Sequence, residues 1–122
     1  NAIAIPHLGA STPESEDNCA IMAASEIKDF LLNGNIQNSV NFPNVSSERS
    51  TGTRFCIIHK NIPTILNQCT AVLGKDDRNI DHLTSKFKGD YAYTIVDMTE
   101  KTNGDIGKEL ENIDGVIRVT VM

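Results

Sequence analysis

The hydrophobic pattern begins with one long amphipathic segment. Apolar residues recur at helical spacing over roughly residues 13–33, at Ala20, Ile21, Ala23, Ala24, Ile27, Phe30 and Leu31. Ser11 or Thr12 can cap this segment, Pro13 suits its first turn, and Asn33-Gly34 is a typical helix end. We therefore predict a helix over residues 13–33, preceded by a short β-like run at residues 3–5.

The next stretch has a different composition. Residues 35–53 are rich in Asn and Ser and contain Pro43 and Gly52, a pattern typical of a linker. A long apolar helical stripe must be buried against another element, and a three-residue strand cannot form a sheet. We interpret residues 1–34 as the remnant of another domain, an α/β one. Residues 35–53 are then a linker or hinge, and residues 54–122 a second domain.

From Arg54 onward, strands and helices alternate. The pattern predicts strands over residues 54–59, 80–87, 91–98 and 116–122, with helices at 63–73 and from Asn103-Gly104-Asp105 onward. The order β-α-β-β-α-β is the α+β, ferredoxin-like plan. Right-handed crossovers place the first and third strands centrally, and these are the most continuously apolar. The second strand, which carries Asp81, His82, Lys86 and Lys88, suits a partly exposed edge.

Composition excludes several classes of function. The chain has 122 residues, a net charge of −5 and an estimated pI of 5.0, which disfavours binding to nucleic acid. An RNA-binding variant of the same fold would carry an aromatic-rich motif that is absent here. No apolar run is long enough to span a bilayer, and we expect no signal peptide from the pattern of these residues. Three cysteines without a CxxC pair indicate no metal site and fit a reducing, cytoplasmic setting.

Candidate chemistry lies where the first predicted strand ends. The sequence His59-Lys60-Asn61-Ile62-Pro63 joins that strand to a helix, whose N-terminus offers unpaired N–H groups suited to a carboxylate. His59 and Asn61, two residues apart, can point toward one pocket. The alternative is that both side chains merely decorate a surface loop.

Two blocks of sequence resemble one known family. Residues 5–12, Ile-Pro-His-Leu-Gly-Ala-Ser-Thr, with the helix after them and Val40-Asn41-Phe42-Pro43, are similar to the end of the catalytic region of D-3-phosphoglycerate dehydrogenases. The half that contains residues 59–63 and Asn79-Ile80 resembles the ACT regulatory domain that closes the short bacterial form. The opening Asn1-Ala2 is also typical of a piece cut from a longer protein.

The resemblance implies a role for five residues. His7 matches the catalytic histidine, which exchanges a proton with the substrate oxygen in the parent enzyme. His59 and Asn61 match residues that bind the inhibitor L-serine, and Asn79 matches a third supplied by the neighbouring subunit. Gly52 lies at the family's glycine hinge. The implied function is feedback control of serine biosynthesis by L-serine, or another small amino acid, within a homo-oligomer, at least a dimer, that pairs through ACT domains.

The resemblance also implies what the fragment lacks. The whole enzyme is an NAD-dependent oxidoreductase, but no G-x-G-x-x-G follows a strand here, so we expect no cofactor site and no activity in this fragment. One departure suggests an alternative. Thr64 follows Pro63 where the family usually has glycine, so an ACT-like oligomerisation module without effector binding is the second hypothesis.

Overall fold

A four-stranded antiparallel sheet forms the centre of the molecule. The computed structural model describes residues 2–102 and 105–122. The elements are α1 (Pro13–Asn33), β1 (Arg54–Lys60), α2 (Ile65–Leu73), a 3₁₀ turn (Lys75–Asp77), β2 (Ile80–Lys88), β3 (Tyr91–Met98), α3 (Asp105–Glu111) and β4 (Val116–Val121). The strand order is β2-β3-β1-β4. The ferredoxin-like plan, the two central strands and the β2 edge are confirmed.

The register of β1 fixes which side chains share a face. Phe55 and Ile57 lie on the face covered by α2 and α3, within a core that also contains Ile65, Cys69, Leu73, Val96, Met98, Ile106 and Leu110. Cys56 lies on the opposite face, in a second cluster with Ile36, Val45, Tyr93 and Ile95. Successive strand residues point to opposite faces, so both faces of β1 are buried, as a central strand requires.

Residues 35–53, predicted as a linker, lie folded against this second face. Ile36 and Val45 form an antiparallel β-bridge, and both side chains are buried. The Tyr93 hydroxyl donates to the carbonyl of Gly34 at 2.7 Å. The division into domains stays a prediction, but this segment is a packed layer and not an extended spacer.

Helix α1 begins and ends as predicted, yet it buries no side chain within the chain. The Thr12 hydroxyl caps it by accepting from the Ser15 amide at 3.2 Å, and Gly34 ends it in the left-handed conformation at φ 73°. Its apolar residues remain largely exposed, including Ile21, Met22, Ile27, Leu31 and Leu32. The covering surface expected for this stripe is not supplied by the described residues.

Two predicted elements are wrong in detail. Residues 3–5 form no strand and are exposed, because no neighbouring strand is there to pair with them. Helix α2 begins at Ile65, two residues later than predicted, since Pro63 belongs to the turn before it. The predicted start of the second helix at Asn103-Gly104 lies outside the described residues, and α3 begins at Asp105.

Candidate functional site

The carboxyl end of β1 meets the β2–β3 turn and forms a small open cleft. Lys60 is paired with Tyr91, and the Asn61 amide donates to the Asp90 carbonyl at 2.8 Å. Gly89, at φ 60°, lets the two-residue turn reverse tightly. The cleft has a volume of about 370 Å³ and is lined by Lys60, Asn61, Ile62, Gly89, Asp90 and Tyr91.

His59 does not line this cleft. It follows Phe55 and Ile57 on the helix-covered face and is only 4% exposed. Its Nδ1 lies 2.8 Å from the Lys60 carbonyl, and its Nε2 lies 2.9 Å from the Thr94 hydroxyl. A carbonyl can only accept, so Nδ1 carries the proton, and in the neutral ring Nε2 accepts from Thr94.

The chain of hydrogen bonds continues to the edge strand. The Thr94 and Ser85 hydroxyls lie 2.7 Å apart, so Ser85 donates to the oxygen whose own proton goes to His59. Both ring nitrogens of His59 are therefore occupied by its own chain. Within this chain His59 and Asn61 do not line one cleft, because the strand periodicity turns His59 to the buried face. Their joint role in effector binding stays a prediction.

Asn61, by contrast, is exposed and lines the cleft. Its Nδ2 donates weakly to the Gly89 carbonyl at 3.4 Å, and its Oδ1 accepts no hydrogen bond from the described residues. Thr64 lies outside the residues that line the cleft; its φ of −92° needs no glycine. Thr64 therefore does not narrow this cleft within one chain.

Asn79 lies at the opposite end of the sheet. Its carbonyl accepts from the Thr99 amide at 3.0 Å, next to the start of β1, where Arg54 is paired with Asp97. Seven residues of β1 separate the two ends by about 20 Å. Asn61 and Asn79 of one chain therefore cannot hold the same small ligand.

Gly52 and His7, the two remaining predicted residues, lie away from the cleft. A Cβ on Gly52 would overlap the carbonyl of Met98, so close packing already requires glycine there, and a hinge motion would have to break this contact. His7 is exposed and has no hydrogen-bond partner among the described residues. The roles assigned to both remain predictions.

Sequence reasoning missed the most heavily bonded side chain. Arg54 is fully buried; its Nε and Nη2 donate to the two carboxylate oxygens of Asp97 at 2.6 and 2.7 Å. Nη1 donates to the carbonyls of Asn33 and Ser47, and Nη2 also to that of Glu48. All five N–H groups are thus satisfied, and hydrogen bonding to Asp97 raises the pKa of the Arg54 guanidinium further. These hydrogen bonds of Arg54, which we call the Arg54 joint, link the end of α1 and residues 35–53 to the sheet.

The chain is similar in sequence to known proteins that share one name. It is 33% identical to D-3-phosphoglycerate dehydrogenase of Haemophilus influenzae over 123 residues, which is 100% of this chain and 30% of the relative. It is 32% identical to a putative D-3-phosphoglycerate dehydrogenase of Schizosaccharomyces pombe, over 87% of this chain and 23% of the relative. The chain is homologous to one region of the D-3-phosphoglycerate dehydrogenases. The resemblance drawn from its motifs is confirmed.

The extent of the match is limited. The D-3-phosphoglycerate dehydrogenase of Escherichia coli is 26% identical, again over 100% of this chain and 30% of the relative. The chain thus spans less than a third of the length of the curated relatives it matches. No protein-family model matches it.

Among solved structures, two determinations of one domain are similar in fold. They are crystal and solution structures of the ACT domain from GTP pyrophosphokinase of Chlorobium tepidum. The TM-scores are 0.46 and 0.47, and the sequence identities 21% and 20%. Each match covers 57% of this chain, and 95% and 83% of those chains, respectively.

The described residues contain neither a membrane-spanning helix nor a group of side chains that could hold a metal ion. Across residues 2–102 and 105–122, no helix has the length and apolar character to cross a bilayer, α1 included. In the same ranges, no three His, Cys, Asp or Glu side chains are grouped so that they could hold a metal ion.

Proposed function

We propose that the chain is the amino-acid-binding regulatory part, an ACT domain, of a cytoplasmic, NAD-dependent D-3-phosphoglycerate dehydrogenase. In this proposal L-serine, or another small amino acid, binds at the cleft beside Asn61 and feeds back on serine biosynthesis. The observation that carries the proposal is the open polar cleft at the carboxyl end of β1, lined by Asn61, one of the residues to which the resemblance gives an effector role.

The chemistry of Asn61 fits such a ligand. Asn61 is exposed in the cleft, and its Oδ1 acceptor can take an N–H or O–H from an amino acid. In this scheme His59 does not contact the ligand but positions the residue that does. By bonding the Lys60 carbonyl and Thr94, it holds the backbone that presents Asn61.

A second copy of the chain supplies the missing contact in this proposal. β2 is an edge strand, and Asn79 precedes its start while the cleft adjoins its end. If two β2 edges pair antiparallel about a two-fold axis, Asn79 of one copy comes next to the cleft of the other. The distance between Asn61 and Asn79 within one chain supports this arrangement.

Regulation then follows from where the ligand sits. A ligand held by groups of two copies stabilises one relative arrangement of those copies over another, by the difference in its affinity for each. The Arg54 joint gives such a shift a route to α1, because Arg54 bonds both to Asp97 in the sheet and to the carbonyl of Asn33, the last residue of that helix.

The catalytic part of the proposal lies mostly beyond this chain. All strand pairs in the described residues are antiparallel, and none forms the parallel βαβ unit that a dinucleotide site needs. The residues present therefore do not fit NAD, and we assign no step to it here. His7 would serve as the proton donor and acceptor only where other regions supply an orienting carboxylate and a substrate clamp.

A second candidate function has one specific observation in its favour. Because His59 is buried with both ring nitrogens bonded, one of the three predicted effector contacts is already used by the fold. An ACT-like module that only pairs subunits would have the same feature.

Isothermal titration with L-serine and a panel of amino acids distinguishes the two candidates. We expect saturable binding that Asn61→Ala abolishes, while Asn67→Ala, on the exposed side of α2, changes nothing. A folded chain that binds no amino acid would leave only the assembly module.

A further inference from the structure

Two opposite charges flank the cleft beside Asn61. Lys60 is the last residue of β1, and Asp90 lies in the turn next to its cross-strand neighbour Tyr91. The backbones are joined directly, since the Asn61 amide donates to the Asp90 carbonyl at 2.8 Å. Both side chains are exposed and line the cleft.

These two charged residues line the same cleft, but they form no ion pair with each other. Within the described part of the chain, ion pairs form at Arg54–Asp97, Lys75–Glu109, Arg78–Asp76 and Lys108–Asp105, and neither Lys60 nor Asp90 takes part in one. A cationic and an anionic group thus stand on the rim of one cleft with their charge–charge contacts unused. That arrangement is complementary to a ligand carrying both charges a few ångströms apart.

We propose that Lys60 and Asp90 bind the two charged ends of a free α-amino acid, Lys60 its carboxylate and Asp90 its ammonium group. Asn61 is left to accept from the side chain through Oδ1. This inference rests on the proposed function and deepens it, because it assigns the recognition of the ligand's backbone to residues that the resemblance does not name.

The remaining walls limit the class of ligand. Ile62 and Tyr91, 45% and 47% exposed, provide apolar sides to a cleft of about 370 Å³. A small amino acid with a hydroxyl or amide fits these walls and Asn61 together. An amino acid amide or an N-acylated amino acid lacks one of the two charges, and a peptide carries them farther apart, so all three are discriminated against.

The test combines ligand analogues with charge-removing variants of the whole chain. Calorimetric titration compares L-serine with L-serinamide, which lacks the carboxylate, and with N-acetyl-L-serine, which lacks the ammonium group. The variants are Lys60→Met and Asp90→Asn, with Lys28→Met and Asp17→Asn as controls at exposed positions of α1, away from the cleft.

We expect each cleft variant to weaken L-serine binding by roughly tenfold or more, the loss of one charge-assisted contact. Lys60→Met is further expected to remove the preference for L-serine over L-serinamide, and Asp90→Asn the preference over N-acetyl-L-serine. Unchanged affinity and unchanged preferences in both variants, with Asn61→Ala still abolishing binding, would overturn this inference and leave the proposed function standing. Absence of binding to every amino acid by the unaltered chain would overturn both.

Discussion

The polar side chains at the two ends of β1 differ in burial and in how many of their hydrogen bonds are made. Arg54 at the start is fully buried, with every N–H group bonded to Asp97 or to backbone carbonyls. Lys60 and Asn61 at the finish lie exposed beside a cleft, and their side chains keep most of their bonding capacity unused. A buried charge must be fully paired to be tolerated, whereas an exposed charge is solvated and can remain unpaired until a ligand binds.

The difference separates structure from function along one strand. Satisfied groups at the first end hold α1, the packed segment and the sheet in one arrangement. Unsatisfied groups at the second end are available to bind. His59 lies between them and belongs to the first kind, although its position in the sequence suggests the second.

The largest expected effect is at the buried end. Arg54→Met leaves the Asp97 carboxylate buried without its partner and removes three bonds to backbone carbonyls. We expect it to destabilise the chain by about 3–5 kcal/mol in chemical denaturation. Arg118→Met, at an exposed position on β4, is the control and should change little. Equal stability of the two variants would refute the structural role of this joint.

A smaller effect is expected in the buried hydrogen-bond network around His59. Thr94→Val keeps the shape of the side chain but removes the hydroxyl between His59 and Ser85, which leaves Nε2 unpaired in a buried site. The expected loss of stability is about 1–3 kcal/mol. Thr84→Val removes a hydroxyl that contacts only the exposed His82, and it serves as the matched control. Were both substitutions neutral, the network around His59 would not be stabilising.

The smallest effect concerns an exposed ion pair, which shows how little such charges contribute to folding. Lys75 lies 2.8 Å from Glu109, and its hydrogen bond lowers the pKa of that carboxyl. A lowered pKa stabilises the folded state above the unfolded-state pKa, and this contribution is lost as pH falls through the folded-state value. Lys75→Met should return the pKa of Glu109 toward its ordinary value in an NMR titration. The midpoint of unfolding should barely move, and an unchanged pKa would contradict the pairing.

Much of the fold could be predicted because the pattern is local. Continuous apolar runs and the rule of right-handed crossovers placed β1 and β3 at the centre, and a cap at Thr12 with glycine at Gly34 bounded α1. The run at residues 3–5 looked similar locally, but a strand needs a neighbour, and that is not a local property.

The site was harder to predict than the fold. One signal was available: Phe55, Ile57 and His59 alternate, so His59 had to share the buried face, while Asn61 follows the strand's end. No such signal marked Arg54. Its partner Asp97 lies 43 residues away, and arginine is rarely buried, so only the tertiary structure reveals the pair.

The central claim, that the polar end of β1 binds a small amino acid, is tested most directly by mapping where L-serine acts on the chain. Backbone amide chemical shifts are recorded by ¹H–¹⁵N NMR as L-serine is added. We predict saturable changes at residues 60–62 and 89–91 that disappear in Asn61→Ala. Amides of residues 14–20, at the start of α1, should shift less. Titration that leaves the amides of residues 60–62 and 89–91 unmoved would contradict the account.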